Sequence, residues 1–294
     1  GTACVLESDP VARAVARGAA LKESSEAYEL PPVLAVVADE VIAQRLGGRH
    51  YVNAPCARIV NLPHRAEECA VLGSATYEAQ QVTHEVGTAT VRLDTGASFD
   101  VLSLWASPEG VIAPLEQSGM PNTLGVSVLA LTSDFQALLS TRAPHLAAAP
   151  GAVDTTSSGG CEQVEGPATS FLTYLTHEAL RELEEETGVY PQQVDVIELL
   201  TVTRDLRRGG KVDFHFLATL RPHTRPHPGD EASDLTRTRA SSSAAAFALT
   251  LHETCAQGRA SANVQAAAEV TALALSRQID FPQARSALER VWGA

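Results

Sequence analysis

The chain has 294 residues, of which 22 are Lys or Arg and 35 are Asp or Glu, so its formal net charge is −13. That length, with 45% hydrophobic residues, is enough to form a sizeable core and two domains. The acidic balance argues against nonspecific binding of nucleic acid, which requires a positive field.

The first part of the chain is typical of a small β-rich unit behind an arm, helical or frayed, over residues 1–30. The segment PPVLAVVADEVIAQRLGG, with prolines at its start and glycines at its end, predicts a helix or a strand followed by a helix. Segments with strand character follow: CARIVNL, ATVRLDT and SFDVLSLW. Turn residues in LEQSGMPNT then predict a boundary, so we expect domains over residues 1–118 and 119–294.

Beyond that boundary, strand and helix patterns alternate. LGVSVLALTSD and FQALLSTR predict a strand pair, and AAAPGAVDTTSSGG predicts a loop and a short strand that leads to a glycine turn. VDVIELLTVTRD and KVDFHFLATLRP predict alternating strands joined by the hairpin LRRGGK. The polar stretch PHTRPHPGDEASDLTRTRASSS predicts a mobile loop, AAAFALTL predicts a strand, and the remaining residues predict two alanine-rich helices.

Cysteine usage and hydropathy indicate the compartment. The five cysteines form no C-x-x-C pair and leave one over: Cys4, Cys56, Cys69, Cys161 and Cys255. We therefore expect no disulfide framework or zinc cluster, and a reducing, cytoplasmic location. We also expect no membrane association, because no apolar run is long enough to span a bilayer and the start, GTACVLESDP, lacks the order of a signal peptide.

The segment RELEEETGV, residues 181–189, concentrates acidic side chains on one predicted helix. Residues three and four apart share a helix face, so Glu182, Glu185 and Glu186 project together, with Glu178 on the same arc. A separate apolar stripe anchors the helix to a core: Leu172, Leu175, Ala179 and Leu183. Clustered carboxylates repel at neutral pH, and the nearby cation is Arg181. The cluster is therefore either a solvated acidic face or a site for Mg²⁺ or Mn²⁺, which take hard oxygen ligands.

The same segment fits the pattern R-E-U-x-E-E-x-G-U, in which U is aliphatic. This is the second half of the Nudix box, and the chain resembles the Nudix hydrolases, which use Mg²⁺ to cleave a diphosphate linked to another group. The resemblance implies an α+β fold, the Nudix α/β/α sandwich with a mixed sheet, preceded here by a small β-rich N-terminal domain. A narrower resemblance, to the animal UDP-glucose and UDP-galactose pyrophosphatases within the family, implies hydrolysis of a UDP-sugar to UMP and a sugar 1-phosphate.

The first half of the box departs from the family pattern. Nudix proteins place a glycine fourteen residues before the arginine and a glutamate eight before it, but this chain has Pro167 and Thr173 there. Gly159 and Gly160 lie further upstream, as though seven residues were inserted, and by resemblance Gly160 is the box glycine. The longer loop is expected to shape the pocket and its selectivity. The lost glutamate has three possible replacements: Glu162, Glu165 and Glu178.

The resemblance also implies roles for the box residues. Glu185 and Glu186 would ligate the metal, assisted by a carbonyl at Gly160. Glu182 would be a further ligand or the base that takes the proton from water. Arg181 would orient a glutamate through a charge-assisted hydrogen bond.

Further candidates lie outside the box. A basic cluster at the hairpin could bind substrate phosphates or form a solvated turn: Arg204, Arg207, Arg208 and Lys211. The loop GDEASD offers an additional carboxylate or plain solvation through Asp230, Glu231 and Asp234. His215, inside an apolar strand, is expected to be a core histidine, and Cys161 a bystander.

Two hypotheses of different classes follow. In the first, the chain is a Mg²⁺-dependent diphosphatase acting on a small-molecule substrate, either a nucleoside diphosphate conjugate or a non-nucleotide diphosphate. In the second, the altered box marks a Nudix fold that binds a nucleotide or a protein without turnover. The intact box carboxylates and Arg181 favour the enzyme, and Thr173 favours the binding module.

Overall fold

The structure is a computed structural model that describes residues 4–6, 9–47, 53–92, 96, 98–146, 149–163, 170–276 and 282–292. Its helices are α1 (Asp9–Ala16), α2 (Pro32–Ala35), α3 (Ala38–Leu46), α4 (Tyr77–Val82), α5 (Phe171–Thr187), α6 (Ala244–Ala256), α7 (Ala262–Ser276) and α8 (Pro282–Trp292). Its strands are β1 (Cys4–Leu6), β2 (Leu21–Ala27), β3 (Pro55–Asn61), β4 (Ala70–Thr76), β5 (Thr90–Arg92), β6 (Ser98–Asp100), β7 (Leu124–Leu131), β8 (Leu138–Arg142), β9 (Val153–Asp154), β10 (Ser157–Gly160), β11 (Val194–Asp205), β12 (Lys211–Leu220) and β13 (Ala232–Arg237).

A five-stranded mixed sheet forms the centre of the molecule, in the order β1-β11-β12-β7-β10. β12 and β7 pair in parallel, whereas the other neighbours pair antiparallel. β10, which carries the glycine pair, is an edge strand, so part of its backbone is free to meet side chains from a neighbouring helix. The predicted α+β fold with a mixed sheet is confirmed.

Alternation along the central strands builds a separate core on each face of the sheet. On one face, Val126 and Phe214 pack with α5, and the Phe214 ring meets Phe171 edge to face at 5.4 Å between centroids. On the other face, Leu129 and Leu217 pack with α6, α7 and α8. Fully burying side chains of this size contributes about 1.5–3 kcal/mol each. The sheet therefore lies between helical layers, as predicted for an α/β/α sandwich.

The N-terminal part contains the three-stranded sheet β2-β4-β3 and the pair β5-β6. A third core, around Leu34, Val82 and Trp105, holds α2, α3 and α4 together with the loops that follow. The segment predicted to be an arm lies elsewhere: β1 pairs with β11, and α1 buries Val11 and Val15 in the core beside α5. The boundary at residue 118 stays a prediction, but the first strand and helix belong to the central layer.

Several predictions of secondary structure were wrong. The predicted strand pair forms β7 and β8, but these lie in different sheets, and the segment predicted to be a helical or frayed arm contains the strand β2. AAAFALTL is not a strand but lies in α6, which begins after Ser243, whose Oγ accepts a hydrogen bond from Ala246 N at 3.2 Å. Alanine has the highest helix propensity, and this cap fixes the first turn. The polar stretch expected to be a loop contains β13, which pairs antiparallel with β8. The predicted hairpin between β11 and β12 is confirmed.

Two further expectations concern thiols and membranes. Cys56, Cys69, Cys161 and Cys255 are free thiols, and the side chain of Cys4 lies outside the described residues. Across the part of the chain that the structure describes, every helix is too short or too polar to cross a membrane.

Candidate active site

Helix α5 carries the acidic residues, and its two ends are well defined. Ser170 Oγ accepts from Thr173 N at 3.1 Å, and Gly188, with φ 68°, ends the helix in the left-handed conformation that glycine adopts without strain. The Thr173 hydroxyl also hydrogen-bonds Ser170 Oγ at 2.8 Å. Thr173, which stands where the Nudix pattern has a glutamate, therefore belongs to the helix cap. The apolar stripe of Leu175 and Leu183 is buried, which turns the acidic arc toward β10.

Glu182 and Glu186 are both buried against the edge strand β10. Glu186 Oε1 accepts from Ser158 N at 3.1 Å, so it caps a backbone donor that the sheet leaves open. The Glu182 carboxylate packs directly on Gly159, where an added Cβ would lie 2.2 Å from its oxygens. At Gly160 a Cβ would meet nothing within 4 Å. The first glycine of the pair, and not the second, therefore makes room for the buried carboxylate.

Burial raises the pKa of both carboxyl groups. For Glu186 the pKa rises to about 8, chiefly by desolvation, with further contributions from Glu182, Glu231 and Asp154, while the hydrogen bond from Ser158 N opposes the shift. For Glu182 the pKa rises to about 7, again chiefly by desolvation, opposed by Arg181. Two neighbouring carboxylates are thus held where their ionised forms repel each other, an arrangement that a bound cation would stabilise.

Arg181 is the cation at the centre of this cluster. Its guanidinium contacts Glu182 at 2.7 Å, Glu185 at 2.8 Å and Glu178 at 3.0 Å, and it donates to the Gly160 carbonyl at 3.0 Å. Burial opposes its charge, but the three carboxylates outweigh that effect and raise its pKa. Glu185, whose side chain is 57% exposed, lies on the solvent side of Arg181. The structure therefore separates Glu185 from the buried pair, and its predicted role as a metal ligand stays a prediction.

The three candidate replacements for the box glutamate differ sharply in position. Glu178 is buried, and its Oε2 accepts from Arg181 Nε at 3.2 Å and from Glu162 N at 2.9 Å. The Glu162 side chain is 65% exposed and lies 3.9 Å from Arg181. Glu165 lies outside the described residues, as does most of the inserted loop. Among the two described candidates, Glu178 is the one that ties Arg181 to the chain just after the glycine turn.

The oxygen atoms around the glycine turn fit Mg²⁺ by their chemistry. Within the described ranges, no group of three or more His, Cys, Asp or Glu side chains is placed to hold a metal ion. Mg²⁺, however, commonly takes one or two carboxylates and fills its other positions with waters and substrate phosphates. Glu182, Glu186 and the Gly160 carbonyl are hard oxygen donors at β10, so their chemistry matches that requirement.

A cavity of about 830 Å³ opens beside β10, within the usual size range of small-molecule sites. Ser158, Gly159 and Gly160 form one part of its wall, with Asp154 and Glu231 nearby. The charge of Glu231 contributes to the raised pKa of both Glu182 and Glu186. The cavity therefore reaches the strand on which the buried carboxylates rest, and Glu231 lies within electrostatic range of them.

The predicted basic cluster divides into two parts. Arg207, Arg208 and Lys211 line the cavity. Arg207 is 53% exposed at its side chain, whereas Arg208 pairs with Glu85, and Lys211 Nζ lies 2.6 Å from Asp213 Oδ1. Arg204 is buried outside this lining, and its guanidinium donates to the carbonyls of Ala113 at 2.7 Å and Gly210 at 3.3 Å. Arg204 thus holds the hairpin backbone, and its predicted role in binding substrate stays a prediction.

Two further predictions are consistent with the structure. His215 is buried between Ser127 Oγ at 2.8 Å and Thr203 Oγ1 at 2.7 Å, and burial lowers its pKa to about 4. It is a satisfied core histidine. Cys161 is also buried, and desolvation raises the pKa of its thiol well above the ordinary value, which makes it a poor nucleophile.

Several polar residues of the cavity wall could not be identified as functional candidates from the sequence. Asp154 is buried and accepts from Ser261 Oγ at 2.6 Å, from Asn263 Nδ2 at 3.1 Å and from Arg142 Nη1 at 3.2 Å. A second group comes from the N-terminal part: Arg45, Tyr77, Gln80, Gln81 and Glu85. These residues lie far apart along the chain, and only the fold brings them together.

No family model and no curated protein matches the sequence. Among solved structures, the chain is similar to a bifunctional NMN adenylyltransferase/ADP ribose pyrophosphatase from Francisella tularensis, with 18% identity and a TM-score of 0.37 over 52% of this chain and 40% of that one. It is also similar to the NUDIX domain of Shewanella oneidensis NrtR complexed with ADP ribose, with 22% identity and a TM-score of 0.35 over 52% and 87%. The MutT protein from Methanosarcina mazei Go1 gives 13% identity and a TM-score of 0.34 over 53% and 96%.

Proposed function

We propose that this chain is a Nudix-type diphosphatase that uses Mg²⁺, or Mn²⁺ in its place, to hydrolyse a diphosphate linkage in a nucleoside diphosphate conjugate. The expected substrate is a UDP-sugar, cleaved to UMP and a sugar 1-phosphate. The enzyme would act on a small molecule in the cytoplasm.

One observation carries the proposal: Glu182 and Glu186 are buried side by side at the glycine turn, with Arg181 as the cation bonded to Glu182. Buried carboxylates destabilise a fold unless a cation or hydrogen bonds compensate them. A solvated acidic face, the alternative for this sequence motif, would leave both side chains exposed. Their burial beside a cavity therefore favours a metal site.

Each residue of the site has a defined task in this reaction. Glu182, Glu186 and the Gly160 carbonyl would hold the metal, which supplies a Lewis acid for the diphosphate and lowers the pKa of bound water. Alternatively, Glu182 would act as the base that takes the proton of the attacking water. Arg181 orients Glu182 and fixes the Gly160 carbonyl through the hydrogen bonds described above. Glu185 remains a candidate for an additional ligand.

The substrate assignment draws on the resemblance and on the cavity. A volume of about 830 Å³ is large enough for a nucleoside diphosphate conjugate. Arg207, which is half-exposed on its wall, would meet phosphate oxygens with its planar guanidinium group, and Arg208 would do so through the nitrogen that Glu85 does not bind. Glu231 on the same wall is available to assist at the metal or to bind hydroxyl groups of the substrate.

Product analysis tests this function. The purified chain is incubated with UDP-glucose, with nucleoside triphosphates and with sugar diphosphates, with and without Mg²⁺, and the products are separated by chromatography. We expect UMP and glucose 1-phosphate from UDP-glucose, dependent on the metal, and slower reaction with the triphosphates. A Glu186→Gln variant should lose turnover by orders of magnitude, whereas Glu184→Gln should not, because Glu184 projects from another face of α5. Faster release of inorganic diphosphate from triphosphates would refute the substrate class.

A second candidate function is a nucleotide-binding or protein-binding module without turnover. The observation in its favour is that Arg181 is already bonded to both Glu182 and the Gly160 carbonyl, two of the groups that would hold a metal. In the same experiment, a wild-type chain that binds a UDP-sugar but leaves every diphosphate intact with Mg²⁺ and with Mn²⁺ would favour the module over the enzyme.

A further inference from the structure

The cavity has a wall that the proposed reaction does not use. Helix α4 and the turn after it, from the N-terminal part of the chain, contribute Tyr77, Gln80, Gln81 and Glu85 to this wall. The glutamines are consecutive and both are buried, with 8% of Gln80 and 3% of Gln81 exposed. Buried carboxamides carry two donors and an acceptor each, so their partners can be traced atom by atom.

The orientation of the Gln81 carboxamide is fixed by its neighbour. Its Oε1 accepts from Arg45 Nε at 3.2 Å. A guanidinium donates but does not accept hydrogen bonds, so the carboxamide cannot be reversed without losing this contact. Arg45 is held in turn by Glu85, through the backbone carbonyl at 3.0 Å and the carboxylate at 3.4 Å. The Gln81 Nε2 group is therefore directed away from Arg45, and it donates to no residue that the structure describes.

Gln80 is arranged in a similar way. Its Oε1 accepts from Thr123 Oγ1 at 2.9 Å, and its Nε2 also has no partner within the described ranges. Two amide donors thus belong to the cavity wall with their oxygens already engaged. Among the described residues, neither nitrogen is a fully buried atom without a partner, so both keep contact with solvent, and a ligand that supplies acceptors would replace that solvent.

The charges around the two amides indicate what kind of group they receive. Glu85 pairs with Arg45 on one side and with Arg208 on the other. Burial raises its pKa, but Arg208 and Arg45 outweigh that effect and lower it, so Glu85 is ionised in the fold at neutral pH. Two arginines and one glutamate leave one net positive charge in this part of the wall, but both arginines are already bonded to Glu85, so the uncharged amide donors are the groups left to a ligand here.

We propose that Gln80 and Gln81 form a subsite for an uncharged group rich in hydrogen-bond acceptors, at one end of the substrate. A pyrimidine base and a sugar share this chemistry, the first through ring carbonyls and the second through hydroxyls. The inference rests on the proposed function for the identity of the rest of the ligand. It assigns the N-terminal part of the chain a role in selecting the substrate.

Isothermal titration of the full chain with UMP and, separately, with glucose 1-phosphate tests the subsite in the presence of Mg²⁺. Gln81→Glu keeps an acceptor for Arg45 and replaces the free donor by an oxygen, and Gln81→Met removes both the donor and the acceptor for Arg45 without adding charge. Both variants should bind one of the two ligands at least ten-fold more weakly and the other as the wild type does. Weakened UMP binding places the base in the subsite, and weakened glucose 1-phosphate binding places the sugar there. Gln117→Glu, at an exposed glutamine, is the matched control.

Several outcomes would contradict the proposed subsite. These are unchanged affinities in both variants, an equal loss for both ligands, and a loss in Gln81→Glu that is absent in Gln81→Met, since the last reports only charge repulsion. A wild-type chain that binds neither ligand at millimolar concentration also overturns it. Failure of the proposed function is seen separately, as absence of UDP-glucose hydrolysis in a chain that still binds UMP or glucose 1-phosphate.

Discussion

Replacing Glu186 by glutamine should stabilise the metal-free protein at alkaline pH. Glutamine keeps the shape of the side chain and an oxygen that can accept from Ser158 N, so the contact at 3.1 Å is retained. What the substitution removes is the ionisation of a buried carboxyl group whose neighbours Glu182, Glu231 and Asp154 are acidic. The effect isolates the electrostatic cost of holding this carboxylate without a cation.

The size and the pH window follow from the pKa. Glu186 has an ordinary value of 4.5, raised to about 8 in the fold. Because the folded state holds the proton more tightly than the unfolded state, the stability of the wild type is intact below pH 4.5 and falls as the pH rises towards 8. With about 1.36 kcal/mol for each pKa unit, the loss above pH 8 is on the order of 5 kcal/mol. At roughly 2 °C for each kcal/mol, the glutamine variant should melt about 10 °C higher than the wild type at pH 9.

Differential scanning calorimetry with a chelator, at pH 5 and at pH 9, measures this difference. At pH 5 Glu186 is protonated in the fold, so the two proteins should melt close together. Glu184→Gln, on another face of the same helix, should show no such divergence with pH. A glutamine variant that melts at or below the wild-type temperature at pH 9 would refute the argument that burial of this carboxylate is uncompensated.

Three further outcomes are expected. Millimolar Mg²⁺ at pH 8 should raise the melting temperature of the wild type, because the ion binds the folded site only. At ten times its dissociation constant, the gain in the free energy of unfolding is about 1.4 kcal/mol. Equal melting temperatures with and without Mg²⁺ or Mn²⁺ would contradict this. Gly159→Ala should keep the fold but displace the Glu182 carboxylate and abolish that Mg²⁺ effect in the same assay, whereas Gly160→Ala, with nothing within 4 Å of its new Cβ, should retain it. Glu178→Gln should lower kcat for the diphosphate about ten-fold with little change in KM, since it weakens the charge-assisted hold on the arginine beside it. Steady-state rates of an exposed counterpart, Glu162→Gln, should match the wild type, and equal impairment of the two would show that the distinction drawn between them is wrong.

The sequence predicts helix α5 well because two signals agree there. An apolar stripe at helical spacing fixes the buried face, and the acidic arc follows from the same period. Periodicity cannot decide which carboxylates become buried, because Glu182, Glu185 and Glu186 fall on one broad arc. In the structure the arginine within the motif draws Glu185 outward, while Ser158 N and Gly159 receive Glu186 and Glu182. Those partners are contributed by an edge strand more than twenty residues away.

Other elements could not be predicted because their local signals conflict. The run AAAFALTL is apolar except for Thr250, so it has neither the period of a strand nor that of an amphipathic helix, and burial between the sheet and α7 decides its conformation. β13 is polar and mostly exposed, and it becomes a strand by pairing with β8. The cavity wall formed by α4 and the turn after it depends on contacts between residues more than a hundred positions apart in the sequence, such as Glu85 and Arg208. Long-range pairing of this kind leaves no pattern in the sequence.

The pairing of β1 with β11 has a practical consequence for how the chain can be divided. β1 covers the backbone of β11 from Thr203 to Asp205, at the outer edge of the central sheet. A fragment that begins at residue 119 would lose this cover together with α1, and it would present unpaired N–H and C=O groups to any extended strand in solution. Such a fragment is a template for association between copies of itself. A soluble form of residues 119–294 alone would therefore need β1 grafted onto it, or a charged residue on the exposed edge of β11 to discourage docking.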